Sequence, residues 1–415
     1  MERLLIIADD FTGALDTGVK LSSYDAKTRV YMGTSAFFEN DISDVQVMVI
    51  DANTRHLSAK EAYRTVFDIV SHARSIGIEY IYKKTDSALR GNIGAELCAL
   101  MDAAKEEKLA FIPAYPEMKR CTVNGVHYIE GVPVSESVFA KDPFEPVLHS
   151  KVADIINLQT DKKVNRVAFD APSPDKKGIN VFDATANIHL RHAGKSLKDK
   201  GELGISAGCA GFADILPEFI KIERNTDYAD YDVSKKLVVI CGSVNQITLA
   251  QLDKAENVGF KRLRLTPELK LNKNYINSRS AADIVDHIVN AAENYSYIIV
   301  DSNDAADNIP TKELAEERNL SQEFIRENIS DVLGYITAGL CLRSDDITLV
   351  ITGGDTLLKC MKAMNVESLE PVRELLPGVV LSRFSFRGNS RYVISKSGGF
   401  GNDRLLVDLK NKLIR

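Results

Sequence analysis

A chain of 415 residues exceeds what one hydrophobic core usually spans, so two domains are expected. With 45% hydrophobic and 27% charged residues the composition is ordinary for a soluble globular enzyme. Lys and Arg total 52 against 58 Asp and Glu, and this net charge of −6 gives no support for a nucleic-acid partner or an anionic membrane surface.

No apolar run approaches a bilayer span, and the amino end lacks the pattern of a signal peptide, so a cytoplasmic location is expected. The six cysteines are scattered without metal-ligand spacing, and the seven histidines are dispersed, which speaks against a zinc site.

The first strand is Leu4-Leu5-Ile6-Ile7, apolar on both faces as in a buried parallel strand. Asp9 and Asp10 follow, and Thr12-Gly13 opens a helix running to about Leu21. In open α/β sheets the ligand crevice lies at the carboxyl ends of the strands. Asp9 and Asp10 therefore stand where they would hold a metal or bind hydroxyl groups, or else serve as ordinary loop acids and caps. Thr28–Met32 and Val45–Ile50 read as further strands, the second ending in the polar run from Asp51 to His56. Ala59 to about Ile76 has helical spacing, and Tyr80–Tyr82 leads into Lys83, Lys84, Thr85, Asp86, Ser87 and Arg90.

Strands alternating with helices argue for βαβ units and a parallel sheet. Successive strand ends thus deliver Asp9 and Asp10, then Arg55, then Lys83, Lys84, Asp86 and Arg90. Arg and Lys there suit a carboxylate or phosphate, and Asp suits sugar hydroxyls or proton acceptance. Together they describe a pocket for a small polyhydroxylated acid, the plain alternative being a set of solvated charges.

Phe111–Pro116 begins a strand and turn, and Asn124-Gly125 signals a hairpin. The tract from Gly131 to Pro146 is expected to be an irregular flap over the pocket, and Lys195–Gly201 a solvated lysine-rich loop. Gly208–Phe212 is small enough for close backbone approach, and Asn225–Lys236 is the expected interdomain linker. A second domain then opens with Leu237–Cys241, Gly242-Ser243 and a helix from Gln246. Strands are expected at Arg262–Leu265, Tyr297–Val300 and Ile347–Ile351, and two helices meeting near Leu320-Ser321.

Two more glycine loops close the chain: Thr352-Gly353-Gly354-Asp355-Thr356 before a helix, and Ser395–Gly401 after a strand. Such loops converge backbone N–H groups on an anion, so with Gly242-Ser243 they read as a nucleotide-phosphate cradle, Lys396 being a candidate to neutralise phosphate. Neither GxxxxGK[ST] nor GxGxxG occurs.

The motifs IIADDFTGALDTG at 6–18, KKTDSALRGNIGAEL at 83–97, PAYPEMKR at 113–120, CGSVNQ at 241–246, TGGDT at 352–356 and SKSGGFG at 395–401 carry a resemblance. Over nearly its whole length the chain resembles the four-carbon acid sugar kinases. The resemblance implies two α/β domains with largely parallel sheets flanked by helices and an active site in the interdomain cleft. Residues 1–230 would bind the sugar acid and 231–415 the nucleotide. The activity implied is ATP-dependent phosphorylation, with Mg²⁺, of a terminal hydroxyl of a threonate, erythronate or oxo-tetronate type acid. The acid would meet Asp10, Arg55, Lys84, Thr85, Asp86, Ser87 and Arg90. ATP would meet Ser243, Gly353, Gly354, Asp355, Thr356, Lys396, Gly398 and Gly399. The proton acceptor is expected to be Asp86 or Asp10, with Asp355 the rival; no metal ligands are assigned, and a homodimer is the working expectation. The competing readings are a nucleotide- or metabolite-binding sensor without catalysis and a nicotinamide-dependent dehydrogenase, the missing GxGxxG counting against the latter.

Overall fold

The structure, a computed structural model, describes the chain apart from residues 1, 23, 25, 40, 41, 43, 143, 144, 223–232, 306–309, 397 and 415. The chain folds as two units, Met1–Asp227 and Tyr228–Arg415. The linker expected over Asn225–Lys236 falls, for 225–232, outside the described residues.

The first unit contains strands β1 (Leu4–Ala8), β2 (Thr28–Met32), β3 (Val47–Asp51), β4 (Tyr80–Lys84) and β5 (Lys108–Ile112). A small antiparallel sheet of β6 (Arg120–Val123), β7 (Val126–Ile129) and β8 (Val132–Pro133) intervenes before β9 (Val164–Val167), β10 (Gly178–Phe182) and β11 (Ile205–Gly208). The main sheet runs β2-β3-β1-β4-β11-β5-β10-β9, parallel at every pairing. Helices α1 (Phe11–Ser22), α2 (Ser35–Glu39), α3 (Ala59–Ser75), α4 (Ile93–Ala104), α5 (Val152–Asn157), α6 (Asn187–Asp199) and α7 (Ala210–Ala213) accompany it. Both β1 and β3 are buried at every position, as the run of apolar residues without alternation requires. The chain leaves β1 toward β2 and β3 on one side and returns as β4 on the other. The carboxyl ends of β1 and β4 therefore flank the topological switch point, where open α/β sheets bind ligands.

Local chemistry explains the connections. Asn124 and Gly125 both adopt positive φ, 52° and 74°, as a two-residue primed turn demands, and the Asp183 carboxylate accepts both of their N–H groups at 3.0 and 2.8 Å. The tract after Gly131 holds β8 and short 3₁₀ turns at Val134–Glu136 and Val138–Lys141, its Pro143 lying outside the described residues. One expectation is corrected: the lysine-rich segment from Lys195 is not a loop but the continuation of α6 to Asp199. Leu190, Ala193, Gly194 and Leu197 form a buried stripe at helical spacing, and the lysines occupy its solvated face.

The second unit contains β12 (Leu237–Cys241), β13 (Lys261–Arg264), β14 (Tyr297–Asp301), β15 (Thr348–Thr352), β16 (Ser368–Leu376), β17 (Val379–Phe386) and β18 (Asn389–Lys396). Their order is β13-β14-β12-β15-β18-β17-β16, parallel up to β18 and antiparallel beyond it. Helices α8 (Gln246–Asn257), α9 (Pro267–Lys270), α10 (Arg279–Asn294), α11 (Thr311–Glu317), α12 (Gln322–Arg343), α13 (Gly354–Ala363) and α14 (Leu405–Ile414) complete it. Ser321 starts α12 by accepting the Phe324 N–H, so the two helices meet where the sequence placed their junction. Leu237, Val239, Ile299, Val350 and Ile394 bring β12, β14, β15 and β18 into one core with Leu252 of α8 and Leu406 of α14. Here the switch point lies between the carboxyl ends of β12 and β15. Both units are thus α/β domains with largely parallel sheets. Among the described residues no helix is long and apolar enough to cross a membrane.

Candidate active site

At the first switch point one guanidinium gathers three carboxylates. Arg55 Nε lies 2.8 Å from Asp9 Oδ2, its Nη1 2.6 Å from Asp10 Oδ2 and its Nη2 3.7 Å from Asp86 Oδ1. The backbone reinforces this, because the N–H groups of Thr54 and Arg55 both donate to the Asp9 carbonyl. Asp10 also caps α1, its Oδ1 accepting the Gly13 N–H at 2.8 Å. A Cβ at residue 13 would lie 2.6 Å from that oxygen and 3.0 Å from Lys84 Nζ, so only glycine leaves room for both. Asp10 is thus a helix cap, as its loop-acid reading has it, and at the same time a partner of Arg55.

Asp86 is held separately. Arg90 donates to it from Nε at 2.9 Å and from Nη2 at 3.1 Å, while Arg90 Nη1 reaches Asp142 Oδ2 at 3.0 Å. Burial opposes the charge on Asp86, but the Arg90 hydrogen bonds and the Arg55 charge prevail and hold its carboxyl far below the usual range. Burial works against Asp9 too, and Arg55 with the nearby lysines still keeps it ionised. In Asp10 the balance reverses: burial first, then the charge of Asp9, pushes its carboxyl up despite Arg55. Asp10 is also the accessible member, its side chain 30% exposed against 3% for Asp9 and 8% for Asp86.

Beneath these residues Lys83, fully buried, pairs with Glu96 of α4 at 2.9 Å, and Glu96 accepts the Thr54 hydroxyl. Lys84 is buried, its Nζ donating to the Thr85 carbonyl at 3.1 Å. Among the described residues neither the carboxylate oxygen Asp9 Oδ1 nor the hydroxyl Thr85 Oγ1 has a hydrogen-bond partner, although both are buried.

Three residues that sequence reasoning left out complete the surroundings. Arg120, at the start of β6, donates to the Ser87 hydroxyl. Phe139 presents its ring to Arg90 at 5.1 Å and to Arg120 at 5.4 Å. His127 of β7 is fully buried between Thr122 Oγ1, at 3.0 Å from Nδ1, and the Ser87 carbonyl, at 2.9 Å from Nε2; burial keeps it neutral, its pKa lowered to about 4. Only the PAYPEMKR tract marked Arg120 in the sequence; nothing local marked the other two. Asp214, just after α7, is also held up, to about 7, by burial, and its partner is the Tyr115 hydroxyl at 3.2 Å.

In the second unit the three glycine loops converge. The Gly353 N–H donates to the Lys396 carbonyl at 2.9 Å, and Gly353 has φ of 92°, a conformation that favours glycine. A Cβ on Gly398 would lie 3.4 Å from Ser243 Oγ, one on Gly399 3.7 Å from Asn245 Nδ2, and one on Gly242 2.5 Å from Thr356 Oγ1. Ser243, Gly353, Thr356, Gly398 and Gly399 thus share one rim, and Gly354 and exposed Asp355 open α13 there. Lys396 is buried and its Nζ braces the loop, 2.9 Å from the Gly398 carbonyl and 3.1 Å from Thr248 Oγ1, with burial lowering its pKa to about 8.

A family model described as a sugar-binding N-terminal domain matches residues 4–216, and one described as a nucleotide-binding C-terminal domain matches residues 238–406. The chain is 28% identical over 428 residues to D-threonate kinase of Salmonella typhimurium, spanning 98% of this chain and 97% of that one. It is 24% identical over 439 residues to D-erythronate kinase of Heliobacterium modesticaldum, spanning 99% of each, and 26% identical over 418 residues to 3-oxo-tetronate kinase of Pseudomonas fluorescens, spanning 95% and 93%. A solved Haemophilus influenzae structure of the DUF1537 family shares the fold with a TM-score of 0.75, at 20% identity over 99% of both chains. The chain belongs to the four-carbon acid sugar kinase family that these paired domains define.

Proposed function

We propose that the protein transfers a phosphoryl group from ATP to a hydroxyl of a four-carbon sugar acid of the threonate, erythronate or oxo-tetronate class. The observation that carries this reading is the Arg55 cluster at a switch point, in which all three carboxylates pair with the guanidinium and Asp10, the most accessible of them, is the one whose carboxyl is held up. The sugar acid is bound by the first unit and the nucleotide by the second.

Asp10 is the proton acceptor for the attacking hydroxyl in this reading. Asp86 is too strongly stabilised as an anion to accept a proton usefully, and serves to fix Arg90 and Arg55. Asp9 Oδ1, buried and without a partner among the described residues, accepts a second substrate hydroxyl. On the nucleotide side the fit lies in the rim that brings Gly353, at a positive φ, together with Gly398 and Gly399 beside Ser243 and Asn245, side-chain-free backbone of the kind that offers N–H groups to phosphate oxygens. Bound ATP supplies the transferable phosphoryl group, and Mg²⁺ the neutralisation of its charge. Among the described residues no three His, Cys, Asp or Glu side chains converge as a metal site, which suits an ion carried mainly by phosphate and water, with Asp355 as the carboxylate that approaches it. Lys396 holds the Gly398 turn in shape. The six cysteines are free thiols, in keeping with a reducing, cytoplasmic setting.

The test is a coupled ADP-release assay over a panel of four-carbon acids and the matching polyols. Turnover with one acid and not with its polyol supports the reading. Stabilisation by acid and ATP without ADP release would make the protein a sensor instead.

A further inference from the structure

We propose that Asp301 and Asn303 are positioning residues for the nucleotide site, holding the Ser243 turn in the shape that receives the phosphates of ATP. The inference rests on the kinase reading and adds to it a part of the site supplied by β14, which the glycine loops do not mark.

The chain of contacts begins at Arg262 of β13, 3% exposed, whose Nε and Nη2 donate to Asp301 Oδ2 at 2.9 and 2.7 Å. A fully buried carboxylate is costly, and the guanidinium offsets that cost. Arg262 Nη1 reaches Asp253 at 2.6 Å and Glu256 at 3.0 Å, both on α8, so the helix that starts beyond Ser243 is pinned to the same side chain. The other Asp301 oxygen, Oδ1, accepts the Asn303 backbone N–H at 3.0 Å and its side-chain Nδ2 at 2.7 Å. Nδ2 also donates to the Ser243 carbonyl at 3.1 Å, bridging the exits of β14 and the adjacent β12.

Chemistry fixes which way the Asn303 amide points. Its two neighbours, a carboxylate oxygen paired with a guanidinium and a peptide carbonyl, are acceptors, so the NH₂ faces them and both of its hydrogens are used. Ser243 is thus held by its carbonyl. Its Oγ accepts the Asn245 N–H at 3.2 Å, which leaves the hydroxyl hydrogen to donate to an anion. That Oγ lies 3.4 Å from where a Cβ on Gly398 would stand, so a shift of residue 243 reshapes the rim it shares with Gly398. A carboxylate at position 303 has the size of the amide but sets an acceptor against two acceptors, which drives the turn away.

The experiment compares the wild type, Asn303→Asp, Asn303→Ala, Ser243→Ala and the double variant Asn303→Asp with Ser243→Ala. Initial rates are measured on the best four-carbon acid, ATP binding by titration calorimetry without acid, and folding by thermal melts. Asn303→Asp is expected to raise KM for ATP and weaken ATP binding about tenfold, while KM for the acid stays within about twofold. Asn303→Ala, which removes the grip without adding a charge, shifts KM for ATP in the same direction. Ser243→Ala alone also raises KM for ATP, and in that background Asn303→Asp adds less than about twofold, because the hydroxyl it positions is gone. If turnover is normal and Asn303→Asp leaves KM for ATP unchanged, raises both KM values equally or multiplies fully with Ser243→Ala, the positioning role is wrong and the kinase reading stands. Ser243→Ala with a wild-type KM for ATP overturns the positioning role as well. If the wild type binds ATP in a manner that depends on Asn303 and Ser243 but forms no ADP with any acid, the kinase reading is wrong and the positioning role stands.

Discussion

Arg55 Nη1 lies 2.6 Å from Asp10 Oδ2, so the arginine brought in by the exit of β3 is spent on the carboxylate at the exit of β1. Such a pairing would ordinarily depress the acid. Burial and the adjacent Asp9 charge outweigh it, and Asp10 ends as the most basic of the three clustered carboxylates. Asp10→Asn should therefore reduce kcat by roughly 10²- to 10⁴-fold, the range of a lost general base, with a smaller effect on KM for ATP. Steady-state kinetics on the purified variant checks this. An Asp10→Asn enzyme with near wild-type kcat would remove the assignment.

Asp86 predicts a stability effect instead. Its folded-state pKa lies far below the ordinary 3.8, so the unfolded chain takes up a proton first as the solution is acidified. The stability it contributes is complete above about pH 5 and is lost as pH falls through the ordinary carboxylate range toward the depressed value. Thermal melts from pH 6 to pH 3 should fall steeply for the wild type and less steeply for Asp86→Asn, which starts from a lower melting temperature.

His127 adds a second, separable window. Its pKa falls from 6.5 to about 4 on folding, so stability that is full above 6.5 declines as pH drops toward 4. The difference amounts to about 3 kcal/mol at the acid end. Replacing His127 with Gln should flatten this part of the stability curve, measured by denaturant unfolding at pH 7.5 and pH 4.5.

The buried Lys83–Glu96 pair invites a double-mutant cycle. Removing one partner leaves an unpaired buried charge, so Lys83→Met should cost about 3–5 kcal/mol. Lys83→Met with Glu96→Leu should recover much of that loss, since a matched apolar pair leaves no charge stranded. Equal losses in the single and double variants would show that packing, not charge, dominates.

On the nucleotide side, Gly353→Ala forces a side chain into a φ of 92°, where the loop must shift. KM for ATP should rise several-fold, with KM for the acid within about twofold, as initial rates at varied substrate would show.

Much of this was legible in the sequence for physical reasons. Parallel strands bury both faces, so Leu4–Ile7 and Leu237–Cys241 stood out as apolar runs, and the rule that ligands gather at strand carboxyl ends located Asp10, Arg55, Lys84 and the glycine loops. Helix α4 escaped because most of it is buried, Glu96 included, which erases the polar face that periodicity detects. The tail of α6 escaped because its lysines hid a buried stripe. The partners were less legible than the positions. Residue types at strand ends could not reveal that Arg55 faces three aspartates, or that Lys396 turns inward to the Gly398 carbonyl. Arg120 meets Ser87 across 33 positions of chain, a contact that only the fold creates.

The most direct test of the central claim is product analysis by mass spectrometry of D-threonate, D-erythronate and a 3-oxo-tetronate, each incubated with the protein, ATP and Mg²⁺. The account predicts that one of the acids gains a single phosphoryl group in step with ADP formation, and that Asp10→Asn abolishes the gain. All three acids recovered unchanged, while each still binds, would contradict it.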